Sequence, residues 1–234
     1  MAKKGRTIYC AGPLFNELER KEMKRISDSL EKAGFRTFLP QRDGLRLNEL
    51  LKVAMGSTYN LSDIIFVFQK AIFELDAYQV LKKCDGLVLN INGRVPDEGA
   101  IVEGAWAWLA NKPLIIYKSD ERSLMRGLDN PLVIGLNEFT IATKIKNIPE
   151  KLKERFKSNL KEYYEFPVGV RGVIGRGEKI YKAMAGKNNY KKIFKLLTGI
   201  YIRGEKENAE KKENKTGDTR KVRKKLRTAK ARNT

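Results

Sequence analysis

Short, nearly continuous apolar runs alternate along this chain with longer stretches in which apolar residues recur every three or four positions. The runs at residues 7–11, 35–39, 86–91 and 113–117 are rich in branched and aromatic side chains, as in strands buried on both faces of a parallel sheet. Residues 17–33 place Leu18, Met23, Ile26 and Leu30 on one helical stripe that Gly34 stops. Residues 73–83 and 98–110 are predicted helices and 45–54 a shorter one, whereas 64–68 is an apolar run that either period accommodates. A short fifth strand is predicted at 131–134, and a closing helix at 149–164, where Leu152, Phe156 and Leu160 keep helical spacing. Strand alternating with helix predicts an α/β fold: a flavodoxin-like, doubly wound parallel sheet of about five strands with helices on both faces.

Beyond Pro167 the pattern changes. Residues 168–176 contain three glycines and read as a loop, and 179–197 as one basic amphipathic helix. Residues 204–234 have too few large apolar side chains to bury the surface that folding requires. The expected organisation is therefore a principal domain over residues 1–166, a basic loop-helix extension over 167–203 and a disordered basic tail over 204–234.

Composition narrows the chemistry. The chain has 234 residues, 41% of them apolar and 32% charged, with a net charge of +20. The tail from 204 holds 12 Lys/Arg against 5 Asp/Glu, which leaves +13 on the preceding residues. A basic surface attracts phosphates, nucleic acid or anionic lipid without specifying a fold. Two cysteines, Cys10 and Cys84, make no disulfide framework and read as small core residues of a reducing compartment. The first six residues lack a signal peptide's apolar stretch, and no run approaches the ~20 apolar residues that span a bilayer, so a soluble cytoplasmic protein is expected. There is no histidine. Ser-His-Asp and Cys-His catalysis and imidazole metal sites are thereby excluded, and an enzyme must work with carboxylates, Tyr, Lys or Cys. No cofactor and no metal are expected.

Candidate chemistry concentrates in residues 85–107, DGLVLNINGRVPDEGAIVEGAWA. A buried strand runs into a loop punctuated by Gly93 and Pro96, and Asp97, Glu98 and Gly99 open the next helix. Open parallel sheets bind ligands at the carboxyl ends of their strands, the position this loop takes. Glu103 follows on the second turn inside an otherwise apolar helix, where a carboxylate is costly to bury without a function. The alternative is plain: Asp97 and Glu98 as first-turn acids favoured by the helix dipole, and Glu103 turned to solvent. Gly104 permits close approach of a ligand or another backbone. In the first loop Gly12 and Pro13 would let backbone approach a ligand, and Phe15 could stack on a planar one. Gln41 and Asp43 are equally readable as ligand contacts, Gln offering both donor and acceptor, or as turn residues before Gly44.

Pro96-Asp97-Glu98-Gly99 with Glu103-Gly104 resembles the P-D-x-G-x-x-x-E signature of the nucleoside 2-deoxyribosyltransferase family. The resemblance continues in family order through residues 7–15 (TIYCAGPLF), Glu19-Arg20, residues 38–44 (FLPQRDG), Asp76 and Asp129-Asn130, covering roughly residues 5–145. It implies a retaining double displacement on 2′-deoxynucleosides and free nucleobases. In that scheme Glu103 is the nucleophile, Asp97 holds the sugar hydroxyls and the nucleophile's geometry, and Asp76 is the proton donor and acceptor near the base. Tyr9 orients Glu103, and Asn130 binds the sugar 5′-hydroxyl from a neighbouring subunit of a homo-oligomer with shared active sites. Tyr9 as a core aromatic and Asp76 as a solvated helix residue remain alternatives.

Two other functions compete. A hydrolase of the same fold acting on 2′-deoxynucleoside 5′-monophosphates would want a Ser/Gly-rich phosphate cradle in the first loop. Here residues 11–16 read AGPLFN, with no basic residue before Arg20. A nucleic-acid-binding protein on this scaffold would use the basic run 220–227, RKVRKKLR, for non-specific phosphate contacts.

Overall fold

A computed structural model describes residues 5–93, 95–121, 129–158, 165–185 and 189–203. The chain separates into two compact units, one comprising Met1–Arg46 and Ile72–Ala185, the other Leu47–Ala71 and Gly186–Thr234.

The first unit is built on a parallel sheet of β1 (Thr7–Ala11), β2 (Arg36–Phe38), β3 (Gly86–Asn90), β4 (Leu114–Tyr117) and β5 (Ile141–Ala142), in the order β2-β1-β3-β4-β5. Tyr9 is in register with Phe38 on one side and Leu87 on the other, and Leu89 with Ile116. Alternation sends Ile8, Cys10, Val88 and Ile115 to one face, against Met23, Ile26 and Leu30 of α1 (Glu17–Lys32) and Ile148 and Leu152 of α7 (Ile148–Ser158). Tyr9, Leu87, Leu89 and Ile116 point the other way, towards Ala100 and Ala107 of α5 (Glu98–Leu109). Helices thus cover both faces and the strand order is that of flavodoxin-like folds. Cys10 and Cys84 are free thiols buried in these cores.

Capping decides where α1 begins. Asn16 accepts from the Glu19 N–H at 3.0 Å, while the Glu19 carboxylate accepts from the Phe15 and Asn16 N–H groups at 2.8 and 3.2 Å. This reciprocal box satisfies the orphan donors of the first turn and ties the β1–α1 loop to its own helix.

Several elements differ from the sequence expectation. Residues Pro131–Ile134 form a helical turn, α6, instead of a strand. Proline, which lacks an N–H, suits the first helical position, and the Asn130 side chain caps the turn by accepting from Leu132 N–H at 3.0 Å. The fifth strand is instead the two-residue β5, hydrogen bonded to β4. Residues 40–43 form the turn α2 (Pro40–Asp43). The apolar run 64–68 and the predicted helix from 73 merge into one helix, α4 (Leu61–Tyr78), followed by a π-helical turn over Gln79–Lys83. The glycine-rich stretch from Val168 is not a loop: it opens the 17-residue helix α8 (Val168–Met184). Each glycine costs a helix about 1 kcal/mol relative to alanine. Val170, Val173, Ile174 and Tyr181, recurring at helical spacing, recover it by packing in the first unit. The predicted helix 179–197 is divided, with α8 ending at Met184 and α9 (Tyr190–Thr198) starting afresh under an Asn189 cap. Residues 159–164 of the predicted closing helix, and the tail 204–234, lie outside the described residues.

The second unit contains α3 (Leu47–Met55), the first half of α4, and α9. Leu50, Ala54, Ile64, Val67, Ile193 and Leu197 are buried, and Phe194 meets Tyr59 and Phe68 edge-on. Among the described residues, no helix is long and apolar enough to cross a membrane.

Candidate active site

Strand β1 places Tyr9 beneath α5, fully buried and stacked on Phe38 with ring centroids 5.4 Å apart. Its hydroxyl donates to Glu103 Oε1 at 2.6 Å, joining residues 94 positions apart in sequence. The Asp76 carboxyl, from the last turn of α4, shares the same phenol hydroxyl. Asp97 sits at the N-cap of α5 but makes no side-chain cap hydrogen bond, and its charge is felt at Glu103. Four of the nine sequence candidates thus form one group, drawn from β1, α4 and α5 and from the β3–α5 loop.

The electrostatics follow from burial. Loss of solvent, then the Asp76 charge, push Glu103 well above the ordinary glutamate range, while the Tyr9 hydrogen bond pulls it back. Burial pushes Asp76 up to about 7, opposed by the hydrogen bond with Tyr9. Tyr9 is also raised, by burial and by both carboxylates, so it remains a neutral donor. Three acidic groups this close cannot all ionise, and the cluster holds a proton near neutral pH.

The other five candidates have local partners. A Cβ on Gly12 would stand 2.5 Å from Met23 Sδ and 2.9 Å from Asn90 Cβ, so this glycine admits α1 and β3. Gly104 is explained in the same way: a Cβ there would lie 2.8 Å from Leu89 Cδ2, and the neighbour it admits is β3. Phe15 is 81% exposed beyond the loop that Glu19 ties down. The Gln41 amide donates to Arg20 O at 2.9 Å. Asp43 accepts from Leu39 N–H at 2.8 Å and pairs with Arg42, which serves the turn between β2 and α3. Asn130 caps α6, past the carboxyl end of β4.

Sequence reading missed a polar cluster on the opposite sheet face. Glu22 of α1 accepts from Asn90 and Asn92, both at 3.0 Å or less, and from the Tyr117 hydroxyl at 3.3 Å. Asn92 Oδ1 in turn accepts from Ser119 N–H at 2.8 Å, and Gly93 N–H donates to Asp120 at 2.7 Å. These bonds anchor the loop that delivers Asp97. Its one sequence signal was Asn90, a buried polar residue ending an apolar strand. Lys118, 7% exposed at the end of β4, was also missed; it pairs with Asp129. Among the described residues no cluster of His, Cys, Asp and Glu is arranged to hold a metal ion.

A family model described as nucleoside 2-deoxyribosyltransferase matches residues 8–146, which contain all four clustered side chains. No curated protein matches in sequence. Similar solved structures include a conserved protein from Enterococcus faecalis V583, 19% identical, which covers 64% of this chain and 99% of its own at a TM-score of 0.48. Another is a CMP N-glycosidase from Clostridium botulinum, 17% identical, covering 63% of this chain and 99% of its own at a TM-score of 0.36.

Proposed function

The chain belongs to the nucleoside 2-deoxyribosyltransferase family, and we propose that it moves the 2-deoxyribosyl group between nucleobases of 2′-deoxynucleosides by a retaining double displacement. The observation that carries this reading is the Tyr9–Glu103 hydrogen bond of 2.6 Å with Asp76 on the same hydroxyl. A Glu103 carboxylate oxygen attacks C1′ as the C1′–N bond breaks. The bonding pair leaves with the base, which takes a proton from Asp76. A second base, deprotonated by the Asp76 carboxylate, then displaces Glu103 and restores the starting state. The buried carboxyls share a proton, and the reactive arrangement is the one in which Asp76 holds it while Tyr9 donates to an ionised Glu103. Asp97, uncommitted as a cap, binds the sugar hydroxyls.

The first loop supports a nucleoside over a nucleoside 5′-monophosphate. The backbone N–H groups of Phe15 and Asn16, the donors a phosphate would need, are already held by the Glu19 carboxylate. Phe15 stacks on the base, and Gly12 shapes the same loop. Gln41 and Asp43 act on the base side through the turn they fix. Asn130 serves the sugar of a neighbouring subunit, and the exposed apolar side chains beside it, Leu132 at 82% and Phe139 at 67%, support an oligomer. The reduced, buried Cys10 and Cys84 suit a cytoplasmic salvage enzyme.

The test is chromatographic: a 2′-deoxynucleoside with a different free base, beside the ribonucleoside and the 5′-monophosphate. Exchange with the deoxynucleoside is expected. An unpaired 2′-hydroxyl costs about 1–3 kcal/mol, so the ribonucleoside should be slower by about one to two decades. Glu103→Ala and Glu103→Gln should lose several decades, and the peptide bearing Glu103 should gain the mass of one deoxyribosyl group. An adduct on Glu98, or near-normal exchange in Glu103→Ala, would overturn the assignment.

A further inference from the structure

Helix α8 lies beyond the residues that match the family, yet it belongs to the compact unit that holds the acid cluster. It packs on both helices that carry that cluster. Ile174 and Tyr181 pack with Ala77 and Tyr78 at the end of α4 and Leu81 of the π-helical turn after it, and Val170 and Val173 join the same apolar group together with Trp106 of α5. Tyr78 and Tyr181 have ring centroids 5.7 Å apart.

Two contacts set how closely the helices approach. A Cβ on Gly177 would overlap the Glu74 carbonyl oxygen and stand 2.6 Å from Tyr78 Cβ, so α8 crosses α4 at a distance only glycine allows. Beside it, Arg176 Nε donates to Glu74 Oε1 at 2.7 Å, and Glu74 is 5% exposed. This charge-assisted bond to a largely buried carboxylate ties α8 to α4 and favours one docking of the two helices. Glu74 and Tyr78 are four apart and share the face turned to α8. Asp76 lies between them in sequence, roughly half a turn away, on the face turned to Tyr9. Rolling or lifting α4 at the α8 contact therefore moves Asp76 relative to Tyr9 of β1 and Glu103 of α5.

We propose that α8 is a positioning element of the catalytic centre, holding α4 at the setting that brings Asp76 to the Tyr9–Glu103 pair. Its consequence for turnover rests on the function proposed above; its effect on Asp76 does not. The groups that face Asp76 are Tyr9 and Glu103, with Asp97 adjoining Glu103.

The experiment uses full-length protein with Gly177→Ala, Arg176→Met and Arg176→Lys. Gly175→Ala is the control, since a Cβ there meets open space. The Asp76 carboxyl is titrated by carbon-13 NMR, assigned with Asp76→Asn, and kcat and KM for base exchange are measured in parallel. Gly177→Ala and Arg176→Met should each move the Asp76 midpoint by about half a pH unit or more. They should lower kcat at least ~tenfold with KM nearly constant, because a misplaced proton donor costs rate more than binding. Arg176→Lys should recover part of both effects, and Gly175→Ala should match wild type. An unshifted Asp76 titration in a folded Arg176→Met or Gly177→Ala protein overturns the proposal; if Gly177→Ala does not fold, the two Arg176 variants decide it. A wild type inert towards every deoxynucleoside would refute the assigned activity, and the titration would still decide the role of α8.

Discussion

At the scale of single residues, the proposed function rests on one phenol between two carboxyls. The Tyr9 hydroxyl can donate only once, and it donates to Glu103. That bond stabilises the ionised form a nucleophile needs, against burial that disfavours it. A hydrogen bond to a charged group contributes about 1.5–3 kcal/mol, so Tyr9→Phe should lower turnover by about one to two decades. It should also move the ascending limb of the pH–rate profile, set by Glu103 ionisation, to higher pH; an unmoved limb would mean that Tyr9 does not act through Glu103. Asp76 and Glu103 titrate as a coupled pair, so the descending limb reports loss of the pair's last proton. Because burial raises Asp76 above the ordinary aspartate range, the folded state holds its proton more tightly than the unfolded chain. That contribution to stability is complete below the unfolded value and is lost as the pH rises through the folded one. Asp76→Asn, which cannot ionise, should therefore melt at a higher temperature relative to wild type at pH 8 than at pH 5. An equal difference at both would show that Asp76 is not buried in an ionisable state.

At the scale of elements, glycine sets how closely each helix approaches its neighbour. Gly104 lets α5 rest on Leu89 of β3 and so presents Glu103 to Tyr9. Overpacking here costs about 1–3 kcal/mol, and Gly104→Val should lower the denaturation midpoint accordingly while displacing Glu103 and reducing turnover. Chemical denaturation and base exchange measured on one preparation check both. A stable, fully active variant would show that α5 has slack at this point. The Asn16–Glu19 box works differently, fixing the first loop by hydrogen bonds within the chain and occupying the donors a phosphate would use.

For the whole molecule, the proposed catalytic residues gather in one unit while much of the charge lies elsewhere. Residues 204–234 carry a net of +7 and lie outside the matched family region. Removing them should leave base exchange essentially intact. It should weaken any binding to nucleic acid and flatten its salt dependence, because fewer phosphate counterions are released. Fluorescence anisotropy with an unspecific oligonucleotide across a salt series reads this directly. Loss of most exchange activity on truncation would place the boundary of the catalytic unit later in the chain.

What the sequence alone determined is whatever depends on short-range pattern. The buried runs of β1, β3 and β4, the amphipathic α1, and the opening of α5 at Asp97 need only local periodicity and turn chemistry, and they imply the parallel sheet. The motif order likewise singled out Tyr9, Asp76, Asp97 and Glu103. Tertiary structure decided the rest. Residues Pro131–Ile134 are apolar and branched enough for a strand, but Asn130 and a leading proline turn them helical, and β5 falls to a two-residue pair held by its bonds to β4. The glycines of α8 break helices by local propensity, yet Gly177 is the residue that lets α8 reach α4. The Glu22–Asn92 anchor joins residues 70 positions apart, and no local signal announces it. Local energies select an element from its own residues. Close approach, buried charge and the sharing of a proton depend on which distant residues the fold brings into contact.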